Sequence, residues 1–473
     1  MRMNRTYKLA LGLVFLACTI PIGLAAQTSS ADTDQKVADL EKQLQAIRAE
    51  LDAMKAQPAA APAAAAATPE AGAAPAAAAP APPPDPLAGI KSVLGGVNLT
   101  GLVDVYYGYN ANHPVQSIKG TNVGTYTEPF TFRDNRFGLN LIELQLDKPV
   151  DKTNPLGFRV ALGFGDTMNA INGVSGTNTD GTNSSTQYLK EGYFSYFAPL
   201  GKGLQIDFGK FVTPAGVEVI ESNQNWNYSR GLLFYDAIPY YHFGARVKYT
   251  FNDKWSITGL ATNGWNNVAS SNSGKTGGFS LAWNATKKLS LTENYLTGPR
   301  DIAGIGDNGP WNHLSDTVIT YNPTAKLSVM ANCDYDHRGF DAATDTALGI
   351  PTGFTGADYT GIAGFVKYAV TPKVNVAGRY EYLNDHDGLA LGINGGLFAS
   401  GIHFPTSQLS HNHPQEFTAT LERTFAGHLV SRLEYRHDFS NNNIFESGGG
   451  KGSPSFVDHQ DTVDVGMMFV LAP

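Results

Sequence analysis

Four ionisable side chains lie in one segment of the chain, 213–239, that is otherwise unusually apolar and aromatic for a connection between strands. They are Glu218, Glu221, Arg230 and Asp236. A segment of this composition is expected to fold against something rather than extend into solvent. If it folds into the interior of a hollow barrel, its charges lie at or near a constriction, where they can select among charged solutes. The alternative is an external loop that packs on its own aromatic side chains.

A second set of charged side chains falls on the polar face of alternating segments. Charges of both signs on strand interiors are costly in a dry environment and acceptable where they line water. We therefore interpret this face as the wall of an aqueous lumen; the alternative is the outer face of a soluble sheet. The predicted lumen wall carries Asp207, Arg246, Lys248, Arg379, Glu381, Arg432, Glu434 and Arg436, together with Asp104, Arg159, Asp334 and Glu422.

Motifs for other kinds of chemistry are incomplete. Residues 273–276 read Ser-Gly-Lys-Thr, like the end of a phosphate-binding loop, but Ala269 stands where its first glycine belongs. Residues 384–388 resemble part of a calcium loop that lacks the distal glutamate. His411 and His413 could share a strand face and bind a metal, but two histidines in a solvated loop usually bind nothing. The sequence thus predicts no enzyme, no metal site and no cofactor.

The charged residues above are positioned by segments of about ten residues in which apolar and polar side chains alternate. In 240–251, for example, Tyr241, Phe243 and Val247 oppose Arg246 and Lys248. This period of two is the signature of transmembrane β-barrel strands, although a soluble sandwich gives similar alternation. The sixteen predicted strands lie near 97–107, 135–147, 156–166, 187–198, 203–212, 240–251, 254–263, 276–286, 288–297, 312–322, 325–336, 357–370, 373–383, 414–424, 427–439 and 459–471.

The connections between these strands favour a membrane barrel over a sandwich. Short turns such as 371–372 alternate strictly with long loops such as 384–413, which is the pattern of periplasmic turns and extracellular loops. Aromatic side chains near the strand ends are expected to form girdles at the two membrane interfaces. The predicted girdle residues are Tyr107, Tyr196, Tyr240, Tyr249, Trp255, Tyr295, Tyr321, Tyr368, Tyr382 and Tyr435. The predicted fold is therefore an all-β, sixteen-stranded antiparallel transmembrane barrel.

Composition excludes several other classes of protein. The chain has 473 residues, of which 16% are charged and 11% aromatic, and a net charge of −8. Low charge with many aromatic residues excludes a disordered chain. The acidic balance gives no basic surface for nucleic acid. Beyond the N-terminus, no stretch approaches the roughly 18 apolar residues of a membrane-spanning helix.

The N-terminal part divides into three segments before the barrel (96–473). Residues 1–26 have the basic start, apolar core and small final residues of a signal peptide, although Cys18 leaves a lipoprotein alternative. Residues 32–57 follow a heptad pattern that predicts a short coiled coil, preceding an Ala- and Pro-rich linker at 58–95. An amphipathic helix lying on the protein's own body is the alternative to the coiled coil. After cleavage only Cys333 remains, so an internal disulfide is excluded.

Part of the sequence around the third long connection resembles the OmpL-like β-barrel porin family of Gram-negative bacteria. The resemblance rests on Gly209-Lys210-Phe211, Gly216, Glu221-Ser222, Asn227-Tyr228-Ser229-Arg230, Pro239, His242 and Gly244. In plan, the sixteen strands and the third loop also resemble trimeric general porins, some of which carry a periplasmic coiled coil. One departure concerns assembly: many outer-membrane barrels end in an aromatic residue, whereas this chain ends in Pro473.

The resemblance implies passive diffusion of small polar solutes through an outer-membrane channel. The expected partners are outer-membrane lipid and lipopolysaccharide, two further copies of the chain in a homotrimer, and small polar solutes. A second hypothesis is a plugged structural barrel that is tethered to the cell wall, and hence to peptidoglycan, through the periplasmic coiled coil. An outer-membrane hydrolase is a third hypothesis, although no Ser-His pairing stands out in the sequence.

Overall fold

A computed structural model of the protein describes residues 96–114, 130–131, 134–172, 186–269, 273–299, 311–339, 356–387, 411–425, 427–448 and 455–471. These residues belong to one compact unit, Gly95–Pro473. The predicted signal peptide, coiled coil and linker lie outside the described residues. Among the residues that are described, no helix has the length and apolar character needed to cross a membrane.

Sixteen antiparallel strands form one closed barrel in which neighbours in sequence pair. The last strand pairs with the barrel strand before it and with the first strand, which closes the barrel. The prediction of an all-β, sixteen-stranded antiparallel barrel is confirmed. The barrel strands are β1 (Asn98–Asn110), β2 (Arg136–Lys148), β3 (Leu156–Phe164), β4 (Leu189–Ala198), β5 (Leu204–Val212), β6 (Tyr241–Thr250), β7 (Trp255–Thr262), β8 (Thr276–Asn284), β9 (Leu289–Pro299), β10 (Trp311–Tyr321), β11 (Leu327–Gly339), β12 (Gly356–Thr371), β13 (Val374–Asn384), β14 (Gln415–Phe425), β15 (Leu429–Phe439) and β18 (His459–Leu471).

Short turns and long loops alternate around the barrel as the sequence predicts, and three of the long loops contain described elements of their own. A helix, α1 (Asp166–Asn172), begins the connection between β3 and β4. The last long loop holds a small hairpin of β16 (Phe445–Ser447) and β17 (Ser455–Val457). The third loop joins Val212 to Tyr241 and contains a 3-10 turn, Ser222–Gln224, and a π-helical turn, Leu233–Ala237. These local elements leave no period-two pattern in the sequence.

Burial in the barrel is the reverse of that in a soluble protein. On β15, Leu433 is 50% exposed, whereas the adjacent Glu434 is 1% exposed. The residues that pair with Leu433 on the two neighbouring strands, Leu421 and Val465, are also exposed. An outward face of exposed apolar side chains and an inward face of buried charged ones follow directly from the period-two pattern of the strands.

All but one of the predicted girdle residues lie on the outward face of the barrel. The rings of Trp255 and Trp283 stack 5.3 Å apart at the short-turn ends of β7 and β8. Tyr240 was predicted to belong to a girdle, and the structure shows that this was wrong: its side chain is buried inside the barrel against Phe130 and Phe234. Tyr240 was assigned to a girdle because it lies at a predicted strand end, although its position in the alternating run is on the same side as Arg246 and Lys248, and its backbone belongs to the third loop and is not a strand.

The outward face of β15 offers a test of contact with lipid. Leu433→Arg places a charge near the middle of this face, so in a bilayer we expect a loss of about 2–4 kcal/mol in the free energy of unfolding. Urea unfolding of the protein in lipid vesicles measures this change, and Leu433→Ala is the control for lost packing. Equal losses in the two variants would show that this face does not meet hydrocarbon.

Candidate functional site

The third loop lies against the inward face of the barrel on several sides. Its backbone and the hydroxyl of Tyr228 donate hydrogen bonds to inward-facing side chains of β10, β11, β15 and β1 in turn. The bonds run from Gly216 N–H to Asp316 Oδ1 (2.9 Å), Val217 N–H to Asn332 Oδ1 (2.8 Å), Ser229 N–H to Glu434 Oε1 (2.8 Å) and Tyr228 Oη–H to Asp104 Oδ1 (2.7 Å). A segment bonded to four strands around the wall crosses the interior.

Arg379 on β13 joins the loop to the wall through charge. Its Nη1 lies 2.7 Å from Glu218 Oε1 of the loop, and its Nε lies 2.6 Å from Glu416 Oε1 of β14. The same guanidinium also donates to the carbonyl oxygen of Ser229 at 2.8 Å. All three charged side chains are buried. Bonds to charged groups are stronger than neutral ones, and this guanidinium therefore fixes the loop at two points.

Two carboxylates on either side of this arginine hold the backbone of the loop where it enters the π-helical turn. Glu218 Oε2 accepts the Gly231 N–H at 2.6 Å. Glu381 Oε2, from β13, accepts the Leu233 N–H at 2.9 Å. Buried backbone donors need partners, and these carboxylates supply them because the loop has no strand neighbour at this point.

Two arginines of β15 bind the carbonyl oxygens of the loop. Arg432 donates to the carbonyl oxygens of Ser222 at 2.6 Å, Asn227 at 2.8 Å and Asn225 at 2.7 Å. Arg436 donates to the carbonyl oxygen of Arg230 at 2.7 Å. Each arginine also pairs with an acid of the wall: Arg432 with Glu422 and Arg436 with Asp438, both at 2.6 Å. The planar guanidinium suits this role because its five N–H groups can serve several acceptors at once.

Glu221 anchors the loop to a further part of the wall, and Arg230 bonds within the loop. Lys190 of β4 forms an ion pair with Glu221 and a second one with Glu143 of β2, at 2.6 Å. Burial alone would raise the pKa of Glu221, but the Lys190 ammonium outweighs burial, and the net direction of the pKa is downward. Arg230 donates to the carbonyl oxygen of Ile220, and burial lowers the pKa of its guanidinium.

Asp236 lies in the π-helical turn and is completely buried. Burial raises the pKa of its carboxyl well above the usual range, and the nearby charge of Asp385 adds to the shift. The carboxyl is therefore favoured in its neutral form in the folded protein, because a buried carboxylate has lost the solvation that stabilises its charge.

Of the four predicted constriction residues, Glu218 and Glu221 form ion pairs with the wall, Arg230 donates hydrogen bonds within the loop, and Asp236 is buried in the π-helical turn. Glu218, Arg230 and Asp236 are at most 6% exposed. Arg379, Glu381, Arg432, Glu434 and Arg436 all bond to the loop. The other predicted wall residues are placed elsewhere: Asp207, Arg246 and Lys248 line the wall of β5 and β6, Arg159 pairs with Asp147, and Asp334 lies beside Asn332.

Several residues of this contact were not predicted. The loop is also held by Lys190, Asp316 and Asn332, which bond to it directly, and by Glu416, which pairs with Arg379. The period-two positions of Glu416, Asp316 and Asn332 mark them as inward-facing, and that signal was present in the sequence. Lys190 has the parity of the exposed Phe194 and Tyr196 and is buried only because the pairing of β3 and β4 shifts register beside it, which no alternation predicts. Nothing in the sequence shows which inward side chains the loop would reach.

Two further loops enter the same interior. In α1, the Thr167 hydroxyl donates to Asn140 Oδ1 at 2.6 Å. From the fourth loop, the ring of Trp265 lies 5.4 Å from the Arg338 guanidinium of β11. Buried apolar side chains of these loops and of strands around the wall form one continuous cluster, which includes Leu102, Met168, Phe234, Leu260, Leu314 and Leu383. The loop ends of the strands therefore enclose packed side chains as well as polar ones.

The histidines considered as metal ligands point to separate partners. The His411 ring contacts the His386 ring at 4.0 Å, whereas the His413 ring stacks on Tyr382. Within the ranges that the structure describes, no group of three or more His, Cys, Asp or Glu side chains could hold a metal ion. Cys333 is free and exposed on the outward face of β11.

A closed barrel of sixteen strands with an apolar exterior, a polar interior and a long loop bonded inside it defines an outer-membrane β-barrel of the porin class. Residues 96–471 match the model of the beta-barrel porin-2, OmpL-like family, so the chain belongs to this family. Its members and structural neighbours are channels rather than enzymes. No curated protein matches the chain in sequence.

Solved porin structures share the fold. The anion-selective porin from Comamonas acidovorans is similar with a TM-score of 0.50 and 11% identity, over 79% of this chain and 99% of that one. OprB of Pseudomonas putida is similar with a TM-score of 0.50 and 11% identity, over 81% and 96%. The trimer form of OmpT of Vibrio cholerae has a TM-score of 0.47 and 11% identity, over 79% and 98%. At these identities the likeness concerns the fold alone.

Gly466 of β18 tests how closely the loop fits the wall. A Cβ at this position would lie 2.4 Å from the ring of Tyr228, so Gly466→Ala must displace that ring and its bond to Asp104. We expect a loss of about 1–3 kcal/mol in the free energy of unfolding and faster proteolysis within the third loop. Gly364→Ala is the matched control, because no atom lies within 4 Å of its added Cβ. Equal behaviour of the two variants would contradict the close fit.

Asp236 predicts a pH dependence of stability. A carboxyl whose pKa is raised on folding stabilises the protein fully below its unfolded pKa, about 3.9, and loses that contribution as pH rises through the folded pKa. Asp236→Asn removes this loss, so we expect the variant to melt at a higher temperature than the wild type at pH 8, with the difference shrinking toward pH 4. Asp253→Asn, in the exposed turn after β6, is the control. A difference that is independent of pH would refute the assignment.

Proposed function

We propose that this porin-family barrel is a water-filled channel of the outer membrane for the passive diffusion of small polar solutes and ions, narrowed by the third loop. A barrel of sixteen strands is wide enough to hold an aqueous channel. The observation that carries the proposal is the bonding of the third loop to inward side chains of β1, β10, β11, β13 and β15. A loop held there reduces the free cross-section of the lumen.

The same proposal covers the surroundings of the channel. The exposed apolar side chains of the outward face meet outer-membrane lipid and lipopolysaccharide, and three copies of the chain form a homotrimer. The N-terminal coiled coil lies in the periplasm and helps to hold the trimer together. Transport by diffusion needs no cofactor, and selectivity comes from the width of the lumen and the charges that line it.

A second candidate function is a plugged structural barrel that tethers the outer membrane to peptidoglycan through the coiled coil. The continuous apolar cluster between the loops and the wall favours it, because such packing excludes water from part of the lumen. The two candidates differ in a single measurement, since a plugged barrel carries no ionic current.

Single-channel recording in planar bilayers tests the channel and its narrowing together. We expect the wild type to insert in groups of three equal current steps. Glu218→Gln removes the ionic contact between the loop and Arg379, while Arg379 keeps its pair with Glu416. The variant should therefore fold but hold the loop less firmly, and we expect a larger or more variable conductance per step.

The control is Asp147→Asn, which breaks an ion pair with Arg159 on the wall that does not reach the third loop. Its currents should equal those of the wild type. If the currents of Glu218→Gln equalled those of the wild type and of Asp147→Asn, the third loop would not lie in the conducting path. Absence of current in every variant would support the structural barrel instead.

A further inference from the structure

A separate cavity lies between the start of the third loop and the wall formed by β5, β6, β7 and β8. Its volume is about 240 Å³, and Pro214 is the loop residue that borders it. The cavity is smaller than the roughly 300–1,000 Å³ of sites for drug-sized ligands, so it suits a molecule about the size of a monosaccharide.

Arg246 is held in this cavity by an ion pair and by two aromatic rings. Its Nε lies 2.8 Å from Asp207 Oδ2, its cross-strand neighbour on β5. Its guanidinium also lies over two aromatic rings, 4.9 Å from that of Tyr193 and 4.6 Å from that of Phe211. The ion pair uses the Nε–H of the guanidinium, and the rings cover its faces. Its remaining N–H groups point outward in the plane of the guanidinium, and this planar arrangement matches the two oxygens of a carboxylate.

The acid of this pair does not cancel the positive charge of the cavity. Asp207 Oδ1 accepts hydrogen bonds from the Ser195 hydroxyl at 2.7 Å and the Gln205 amide at 3.0 Å, so both carboxylate oxygens are engaged by the wall. Lys248, in the next inward position after Arg246, is exposed and lines the same cavity. It forms no ion pair with any carboxylate in the described part of the chain, so the cavity carries one excess positive charge.

This lysine differs from the inward-facing cations that anchor the third loop. Arg379, Arg432 and Arg436 hold the third loop, and Lys190 is held between two glutamates. Their charges are therefore committed to the fold. Arg246 and Lys248 are positioned where a dissolved anion can reach them.

The rest of the lining adds hydroxyl groups and an apolar floor. Thr258 and Ser280 contribute hydroxyls from β7 and β8, and Leu260 and Phe211 contribute the apolar surface. Hydroxyl side chains can donate to or accept from the hydroxyl groups of a ligand. A fixed guanidinium, a free ammonium, two hydroxyls and a small apolar surface together define the ligand.

We propose that this cavity is a binding site for small hydroxylated monocarboxylates, such as sugar acids, in which Arg246 and Lys248 bind the carboxylate and Thr258 and Ser280 bind the hydroxyl groups. The site rests on the proposed function for its role, because a solute would meet it on its way through the lumen. Its affinity, however, is a property of the folded barrel that can be measured without any transport.

Calorimetric titration of the detergent-solubilised full chain with sodium gluconate tests the site, with glucose as the uncharged probe and sodium acetate as the probe without hydroxyls. We expect gluconate to bind more tightly than either. Lys248→Gln should weaken gluconate binding about tenfold, because one bond to a charged group is lost. Ser280→Ala should weaken gluconate binding and leave acetate binding unchanged.

Lys254→Gln is the matched control, since Lys254 lies in the exposed turn after β6 and outside the cavity. It should bind gluconate like the wild type. Equal binding of gluconate and glucose, or unchanged binding in Lys248→Gln, would overturn the site. Gluconate binding in a protein that passes no current would leave the site intact and refute only the channel. A conducting protein without such binding would refute the site alone.

Discussion

The interior of this barrel depends on the burial of charged side chains between the third loop and the wall. A loop that crosses a lumen has no neighbouring strand to take its backbone hydrogen bonds, and buried backbone groups without partners are costly. The wall supplies these partners from side chains. Acids such as Glu434 accept from the loop N–H groups, and arginines such as Arg432 donate to its carbonyl oxygens.

This arrangement explains why the buried charges occur in sets rather than singly. A buried ion pair recovers its desolvation penalty only when further hydrogen bonds complete it, and removal of one partner typically costs about 3–5 kcal/mol. Arg379 meets this condition with two glutamates and one carbonyl oxygen. Lys190 meets it with Glu143 and Glu221. Each of these groups of charges therefore stabilises one conformation of the loop, because any other conformation would leave buried charges without partners.

The sequence was sufficient to predict the strands and insufficient to predict the contacts of the loop. Period-two alternation assigns each strand residue to a face, so Arg379 and Glu434 were recognisable as inward-facing. The third loop was recognisable from its apolar composition. What a side chain meets across the lumen depends on residues far away in the chain, as with Gly216 and Asp316, and no local pattern encodes such pairs. Tyr240 was assigned to a girdle because it lies near a strand end, and its actual contact with Phe130 likewise joins residues far apart in the chain.

The electrostatic character of the lumen depends on which of its charged side chains are paired with the loop or with each other and which are left unpaired. Glu218, Glu221 and the arginines of β13 and β15 each pair with an opposite charge, so little of their charge is left for a solute. The wall of β5 to β8 meets the loop near Pro214, and there Arg246 and Lys248 border open space. A solute is therefore expected to experience this side of the lumen most strongly. The asymmetry arises because the charged residues that anchor the loop lie on other strands, among them β4, β13, β14 and β15.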